Sequence, residues 1–304
     1  MFDGKVSNLS QVAYIRRYSV TEGKEAGLKV IECYNGLLRF TLNESKALDI
    51  MQLYHSGDNI GFISKNGFSA REIPFLKRFE GGMLYTCGLE SVGQREGFEL
   101  HGTFHHNPAN VISCACDENG IEVVAEICDS ELFGKNLAVR RKVRTQIFSD
   151  TLELEDTLIN KGTKEEDYCL LYHFNLGYPM LDEGVRIESD TEEVIARNEH
   201  ALKNMENRVC FLPAIPNEPE SCYFIRHRKP EISVTNQRLS KKFTLSYSGD
   251  TLPCFIQWYS PASGDYALGL EPATTFLDDR FEYKKIKPAE RVNFSFKLKV
   301  SDIK

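Results

Sequence analysis

Val292-Asn-Phe-Ser-Phe-Lys-Leu-Lys-Val300 alternates without a break. Val292, Phe294, Phe296, Leu298 and Val300 are apolar, and Asn293, Ser295, Lys297 and Lys299 stand between them. Successive side chains of an extended chain point to opposite faces, so this period of two marks a strand with one buried and one wet face. The same signal recurs upstream. Residues 111–116 and 121–128 flank Asp117-Glu-Asn-Gly120, whose Asn-Gly step marks a hairpin. Residues 137–147 and 151–159 flank Ser149-Asp150 as a second hairpin. After the break at Asn160-Lys-Gly162, a strand over residues 168–175 carries His173. Helical periodicity is scarce, and residues 192–205 read as one short helix or an irregular excursion. Many short strands at hairpin spacing predict an antiparallel sandwich or barrel. With no linker, internal repeat or low-complexity tract, the 304 residues read as one such domain over residues 1–304.

Composition narrows the function classes. Hydrophobic residues at 41% and charged residues at 27% are those of an ordinary globular protein. A formal net charge of −7 argues against a general nucleic-acid binder, which needs a basic surface to displace counterions, and against docking on an anionic membrane. The start, Met1-Phe-Asp-Gly-Lys-Val-Ser-Asn-Leu-Ser10, has no apolar core of signal-peptide length, and no stretch approaches the roughly 18 apolar residues of a membrane span. A cytoplasmic location is therefore expected. The nine cysteines are an odd number, and Cys114, Cys116, Cys128, Cys169 and Cys254 sit in apolar, strand-like runs. They read as reduced, buried small hydrophobes. There is no Cys-x-x-Cys pair, Gly-rich phosphate loop or dinucleotide fingerprint. No metal and no cofactor are expected.

Two stretches carry the chemistry. Leu170-Leu-Tyr-His-Phe-Asn-Leu-Gly-Tyr-Pro179 is centred on His173, and Tyr266-Ala-Leu-Gly-Leu-Glu-Pro-Ala-Thr-Thr275 on Glu271. Each places one titratable group in an apolar strand, where an ionisable side chain without a purpose is costly. A histidine in a strand is more often structural and a lone Glu is usually a surface group. The apolar context of both favours a function instead, one as a proton donor and the other as a proton acceptor, which is what an acid–base enzyme needs.

Five segments together resemble the aldose 1-epimerase (galactose mutarotase-like) superfamily, and within it a bacterial mutarotase-like branch. They are Ala47-Leu-Asp-Ile50, Gly81-Gly-Met-Leu-Tyr-Thr-Cys-Gly-Leu89, Leu100-His-Gly102 with Pro108-Ala109, the His173 segment, and Gln257-Trp258 leading to Gly269-Leu-Glu-Pro272. The resemblance implies an antiparallel β-supersandwich with a sugar site on its concave face. It also implies cofactor-free interconversion of α and β anomers, with His101 binding substrate, His173 as the acid and Glu271 as the base. Two positions differ from the family pattern: Ser45-Lys46-Ala47 stands where Arg-Gly precedes Leu-Asp, and Thr103 where Arg often follows His-Gly. Both bear on the choice of substrate.

Anomer interconversion suits such a pair. A base takes the proton of the anomeric hydroxyl, an acid protonates the ring oxygen, the ring opens, and it recloses with the roles reversed. Histidine titrates nearest neutral pH. The two residues are far apart in sequence, so only neighbouring strands can bring them to one hemiacetal, where they are expected on opposite sides of the sugar. His101 is expected to hold a hydroxyl or the ring oxygen, and Trp258 to face the apolar C–H side of a pyranose, although a single tryptophan is as often core. Tyr178 and Gln257 are expected to add hydroxyl contacts. Arg280 is a candidate for the rim, and so are His105 and His106. The His101, His105, His106 spacing also invites a metal reading, but no Cys or carboxylate ligand lies close by in sequence. Cys114 and Cys116 read as two core cysteines on one strand face. Arg140, Arg141, Lys142 and Arg144 read as a solvated strand edge, or as a phosphate patch if the substrate is a sugar phosphate. A non-catalytic carbohydrate-binding or sensing protein on the same scaffold is the other reading, because fold does not fix function. The expected partner in every case is a small-molecule sugar.

Overall fold

The computed structural model describes residues 4–71 and 73–303, so the first three residues of the N-terminal segment quoted above lie outside it. An antiparallel five-stranded sheet comes first: β1 (Tyr14–Ser19), β2 (Lys29–Tyr34), β3 (Leu38–Asn43), β4 (Asp49–His55) and β5 (Asp58–Asn59). The ladder of β6 (Phe62–Ile63) with β7 (Gly81–Gly82) brackets a one-turn helix, α1 (Phe75–Arg78). The remaining strands join one 13-stranded antiparallel sheet. They are β8 (Leu84–Leu89), β9 (Ala109–Asp117), β10 (Gly120–Ser130), β11 (Asn136–Thr145), β12 (Thr151–Asn160), β13 (Glu166–Leu176) and β14 (Arg186–Ala196). After a short helix, α2 (Glu199–Lys203), follow β15 (Ser221–Asn236), β16 (Lys241–Tyr247), β17 (Cys254–Ser260), β18 (Ala267–Ala273), β19 (Lys284–Ile286) and β20 (Arg291–Asp302). The neighbour order is β19-β13-β18-β17-β15-β16-β20-β12-β11-β10-β9, with β8 on β13 and β14 on β15. Among the described residues no helix is long and apolar enough to cross a membrane.

Side chains of both large sheets meet in one apolar core. Ile31, Phe40, Leu42 and Leu53 come from the first sheet, and Val123, Leu137, Val139, Leu158 and Leu298 from the second. β20 shows the expected alternation, with Phe294, Phe296, Leu298 and Val300 buried and Asn293, Ser295, Lys297 and Lys299 exposed. The hairpin of β9 and β10 turns where Asp117 Oδ1 accepts from Asn119 N at 2.8 Å, an Asx turn that releases the chain into Gly120. In the β11–β12 turn, Asn35 Nδ2 donates to Gln146 O at 2.9 Å and Ser149 O at 3.0 Å, pinning the loop to the first sheet.

The structure corrects three sequence expectations. Residues 192–205 are mostly not helical: β14 continues through Ala196, pairing Glu193 with Arg226 and Ile195 with Phe224, and only Glu199–Lys203 is α-helical. Sheet pairing overrides the charged, helix-like composition there. Cys169 and Cys254 are buried and Cys114 and Cys116 half-buried, but Cys128 is exposed because Ile127 and Asp129 take the inward face of β10. All nine cysteines are free.

The third correction concerns the basic run on β11. Arg140 and Arg144 lie on its exposed face, but alternation turns Arg141 inward with Leu137, Val139 and Val143, and it is fully buried. All five guanidinium N–H groups are used. Nε and Nη2 clasp the Asp156 carboxylate at 2.9 and 2.7 Å, Nη1 donates to Asp49 and to Ala47 O, and Nη2 donates to Thr86 Oγ1. The network continues through His105 Nδ1 to Asp49 at 2.6 Å, and through Lys46 Nζ to Glu80 at 2.7 Å. Lys46 is thereby committed to the interior. Buried charges are tolerated only when paired, and here Arg141, His105 and Lys46 balance Asp49, Asp156 and Glu80. Replacing one partner would leave an uncompensated buried charge. Asp156→Ala is expected to cost about 3–5 kcal/mol, seen as a lower urea midpoint, whereas Arg144→Ala on the exposed face should cost under about 1 kcal/mol.

Candidate active site

β13 and β18 are neighbours, and the pairings Leu171↔Ala273 and Phe174↔Leu270 set His173 directly across from Glu271. The imidazole Nε2 lies 3.2 Å from Glu271 Oε1, with both side chains almost wholly buried. His173 Nδ1 and Glu271 Oε1 have no hydrogen-bond partner among the described residues. They sit side by side on one wall, not across a bound ring as the sequence reading expected. The row continues over the sheet, with Glu271 beside Ile256 on β17 and His173 beside Tyr85 on β8.

One row further, Trp258 pairs with Gly269. A Cβ on Gly269 would stand 2.6 Å from Glu271 Oε1 and 2.9 Å from both His173 Cε1 and Trp258 Cβ. Glycine is therefore required for His173 and Glu271 to occupy this wall together. These side chains line a cleft of about 750 Å³ that also takes in His101, Phe62, Phe75 and Phe79. The His173 ring centroid is 5.6 Å from those of Phe79 and Trp258 and 5.8 Å from that of His101. Such a lining offers flat apolar faces around a few polar atoms, as small-molecule sites do.

His101 reaches the cleft from a tight turn. Its backbone is left-handed at φ 66°, and Gly102 follows at φ 73°, where a Cβ would meet Gly88 O at 2.5 Å. Only glycine fits there, which gives the Leu-His-Gly motif its physical reason. Gly93 N donates to His101 Nδ1 at 3.4 Å, which leaves the ring proton on Nε2.

Burial controls the charges. It lowers His173 to about 3, with His101 adding to the effect, and lowers His101 to about 4. Burial also pushes the Glu271 carboxyl well up; the Glu220 anion adds to this and the Arg197 guanidinium opposes it. Each shift disfavours the ionised form of its own group. Two groups this close titrate together, and the titration belongs to the pair.

Of the expected substrate contacts, His101 and Trp258 line the cleft and four others do not. Gln257 alternates to the opposite face of β17 from Trp258, is wholly buried, and donates to Arg208 O at 2.7 Å. Tyr178 is 70% exposed beyond the end of β13. His106 lies behind the wall, its Nε2 3.4 Å from the Tyr85 hydroxyl, and burial lowers it to about 2. Arg280 is tied to Asp278 at 2.7 Å and lies over the Phe276 ring. His105 is equally absent from the cleft. Residues 104–106 form a 3-10 turn, and the His105 ring stacks on Tyr85 with centroids 3.8 Å apart while its nitrogens face Asp49 and Glu80. Burial opposes charge on His105, but hydrogen bonds to the two carboxylates outweigh it and raise its pKa. Thr103 is exposed and bonded to Glu90.

Sequence reasoning missed Arg197 and Glu220. They pair at 2.6 Å on the cleft wall, and the Trp258 indole N–H donates to Glu220 at 2.6 Å. It also missed Lys65, paired with Asp265 at 2.7 Å at the cleft margin. Neither pair lies in a motif, and only folding brings its members together.

The architecture is the galactose mutarotase-like β-sandwich. The crystal structure of "a putative aldose 1-epimerase" from Klebsiella pneumoniae subsp. pneumoniae MGH 78578 matches with a TM-score of 0.84, at 20% identity over 94% of this chain and 83% of that one. A galactose mutarotase-like protein from Clostridium acetobutylicum matches with a TM-score of 0.72, at 12% identity over 96% of this chain and 100% of that one. A galactose mutarotase related enzyme from Lactobacillus acidophilus matches with a TM-score of 0.61, at 11% identity over 95% of this chain and 100% of that one. At the level of sequence, residues 25–300 match the model of the family described as "Domain of unknown function (DUF4432)", and the chain belongs to that family. No curated protein matches it in sequence.

The site geometry makes a spectroscopic prediction. In long-range 1H–15N spectra at neutral pH, His101 should appear as the neutral Nε2–H tautomer. On acidification it should titrate near 4, ahead of His173 near 3, while His105 should keep its second proton to higher pH than a solvent-exposed histidine.

Proposed function

We propose that this protein is an aldose 1-epimerase that interconverts the α and β anomers of a free aldose by general acid–base catalysis with ring opening. The observation that carries the reading is the His173–Glu271 contact of 3.2 Å within an aromatic-walled cleft. The anomeric oxygen and the ring oxygen are both bonded to C1, so two side chains on one wall can reach them together. Glu271 as carboxylate takes the proton of the anomeric hydroxyl while His173 as imidazolium gives one to the ring oxygen. The C1–ring oxygen bond breaks, leaving an open-chain aldehyde and a free hydroxyl. Rotation presents the other face of C1, and reclosure returns each proton. The pair holds one proton before and after, as a freely reversible reaction requires.

The supporting residues fit this task. His101 offers its Nε2–H to a sugar oxygen, and the Trp258, Phe79 and Phe62 faces suit the C–H side of a pyranose. The cations lining the cleft, Arg197 and Lys65, are each paired with a carboxylate. That favours an uncharged sugar. The sugar-phosphate alternative relied on Arg140, Arg141, Lys142 and Arg144, and none of them lines the cleft.

The test is anomer exchange of freshly dissolved sugars, followed by polarimetry or NMR. Glu271→Gln and His173→Asn should each retain the fold and lower kcat by about 10²–10⁴-fold. His101→Ala should mainly raise KM. No acceleration by the wild type across a broad panel, together with tight sugar binding, would favour a binding or sensing role, and a fully active Glu271→Gln would remove Glu271 as the base.

A further inference from the structure

The cleft contains a charged pair that the reaction above does not use. The Arg197 backbone N–H donates to Cys222 O at 3.0 Å, extending the β14–β15 ladder one residue past Ala196↔Tyr223. Cys222 pairs with Trp258, and Trp258 with Gly269. Alternation places Arg197, Cys222, Trp258 and Gly269 on the same face as Glu271. Cys222 and Gly269 are small and the Trp258 indole stands between them, and Arg197, Trp258 and Glu271 all line the one cleft. The guanidinium is held by Glu220 Oε1, whose other oxygen accepts from the Trp258 indole.

The groups that face Glu271 from the elements around it are few. They are His173 from β13, Cys87 from β8, Cys222 from β15, His101 from its turn, Glu220 and Arg197. Burial keeps both thiols neutral. Lys65 is engaged with Asp265. Of the charged groups on the cleft wall, Glu220 is the anion that favours the protonated Glu271 carboxyl, and Arg197 is the cation that opposes it.

The single proton of the catalytic pair has two places to sit. On Glu271 it leaves carboxylic acid beside imidazole, the arrangement burial favours. On His173 it leaves carboxylate beside imidazolium, the arrangement anomerisation uses. A nearby cation favours the second and a nearby anion the first. We propose that Arg197 is a positioning residue that draws this proton from Glu271 to His173, with Glu220 as its counterweight. The inference rests on the aldose 1-epimerase reading and deepens it by naming what arms the base.

The test uses the full chain, with 13C-labelled glutamate carboxyls titrated by NMR and anomerisation followed against pH. Arg197→Met should move the Glu271 titration to higher pH and lower plateau kcat roughly tenfold, the effect of about one unit in pKa. Arg197→Lys should restore the wild-type midpoint, and Glu220→Gln should move it to lower pH. Opposite shifts in the two variants support the inference. A Glu271 midpoint unmoved by Arg197→Met, even with kcat reduced, overturns it and leaves Arg197 a packing role. Inactivity of the wild type on every sugar would count against the aldose 1-epimerase reading, and the carboxyl titration would still decide the inference.

Discussion

The buried guanidinium of Arg141 is the contact on which the rest of the molecule depends. It joins the first sheet, through Asp49 and the Ala47 carbonyl, to β8 through Thr86 and to β12 through Asp156. A charge taken out of water is tolerated only when every donor is met, and here all are. The consequence for the site follows from strand alternation. Thr86 and Tyr172 are paired across β8 and β13, and both point into the network, Tyr172 through its hydroxyl to Asp156 at 2.9 Å. Their neighbours Tyr85 and His173, also paired, therefore point the other way. The polar network thus fixes from behind the wall on which His173 stands.

Much of this was legible in the sequence. Alternation located β20 and both hairpins, because one-sided burial writes itself as a period of two. That His173, Glu271 and His101 would be set apart from ordinary strand residues was legible because their motifs have local physical causes, and the three line one cleft. Gly102 permits the left-handed turn beneath His101, and Gly269 clears the space beside Glu271. Gln257 was misjudged for a related reason. It adjoins Trp258 in sequence, and adjacent residues on a strand face opposite ways.

What stayed hidden is long-range. Arg141 reads as one more basic residue in a basic run, and nothing local says that Asp49 and Asp156 lie ready to pair with it. His105 and His106 read as rim residues because they follow His101 closely. The 3-10 turn at residues 104–106 carries them behind the Tyr85 ring instead. Arg197 and Glu220 belong to no motif, and meet only because β14 and β15 bring them together.

The juxtaposition of His173 and Glu271 depends on the register of a single strand pair. Sliding β18 by one residue along β13 would send Leu270 into the cleft and bury the carboxylate in the core behind it. Side-chain identity elsewhere can drift widely without touching that alignment. A one-residue insertion or deletion inside either strand cannot. The two strands act as a reading frame for this contact, which tolerates changes of loop length outside them but depends on the count of residues within β13 and β18.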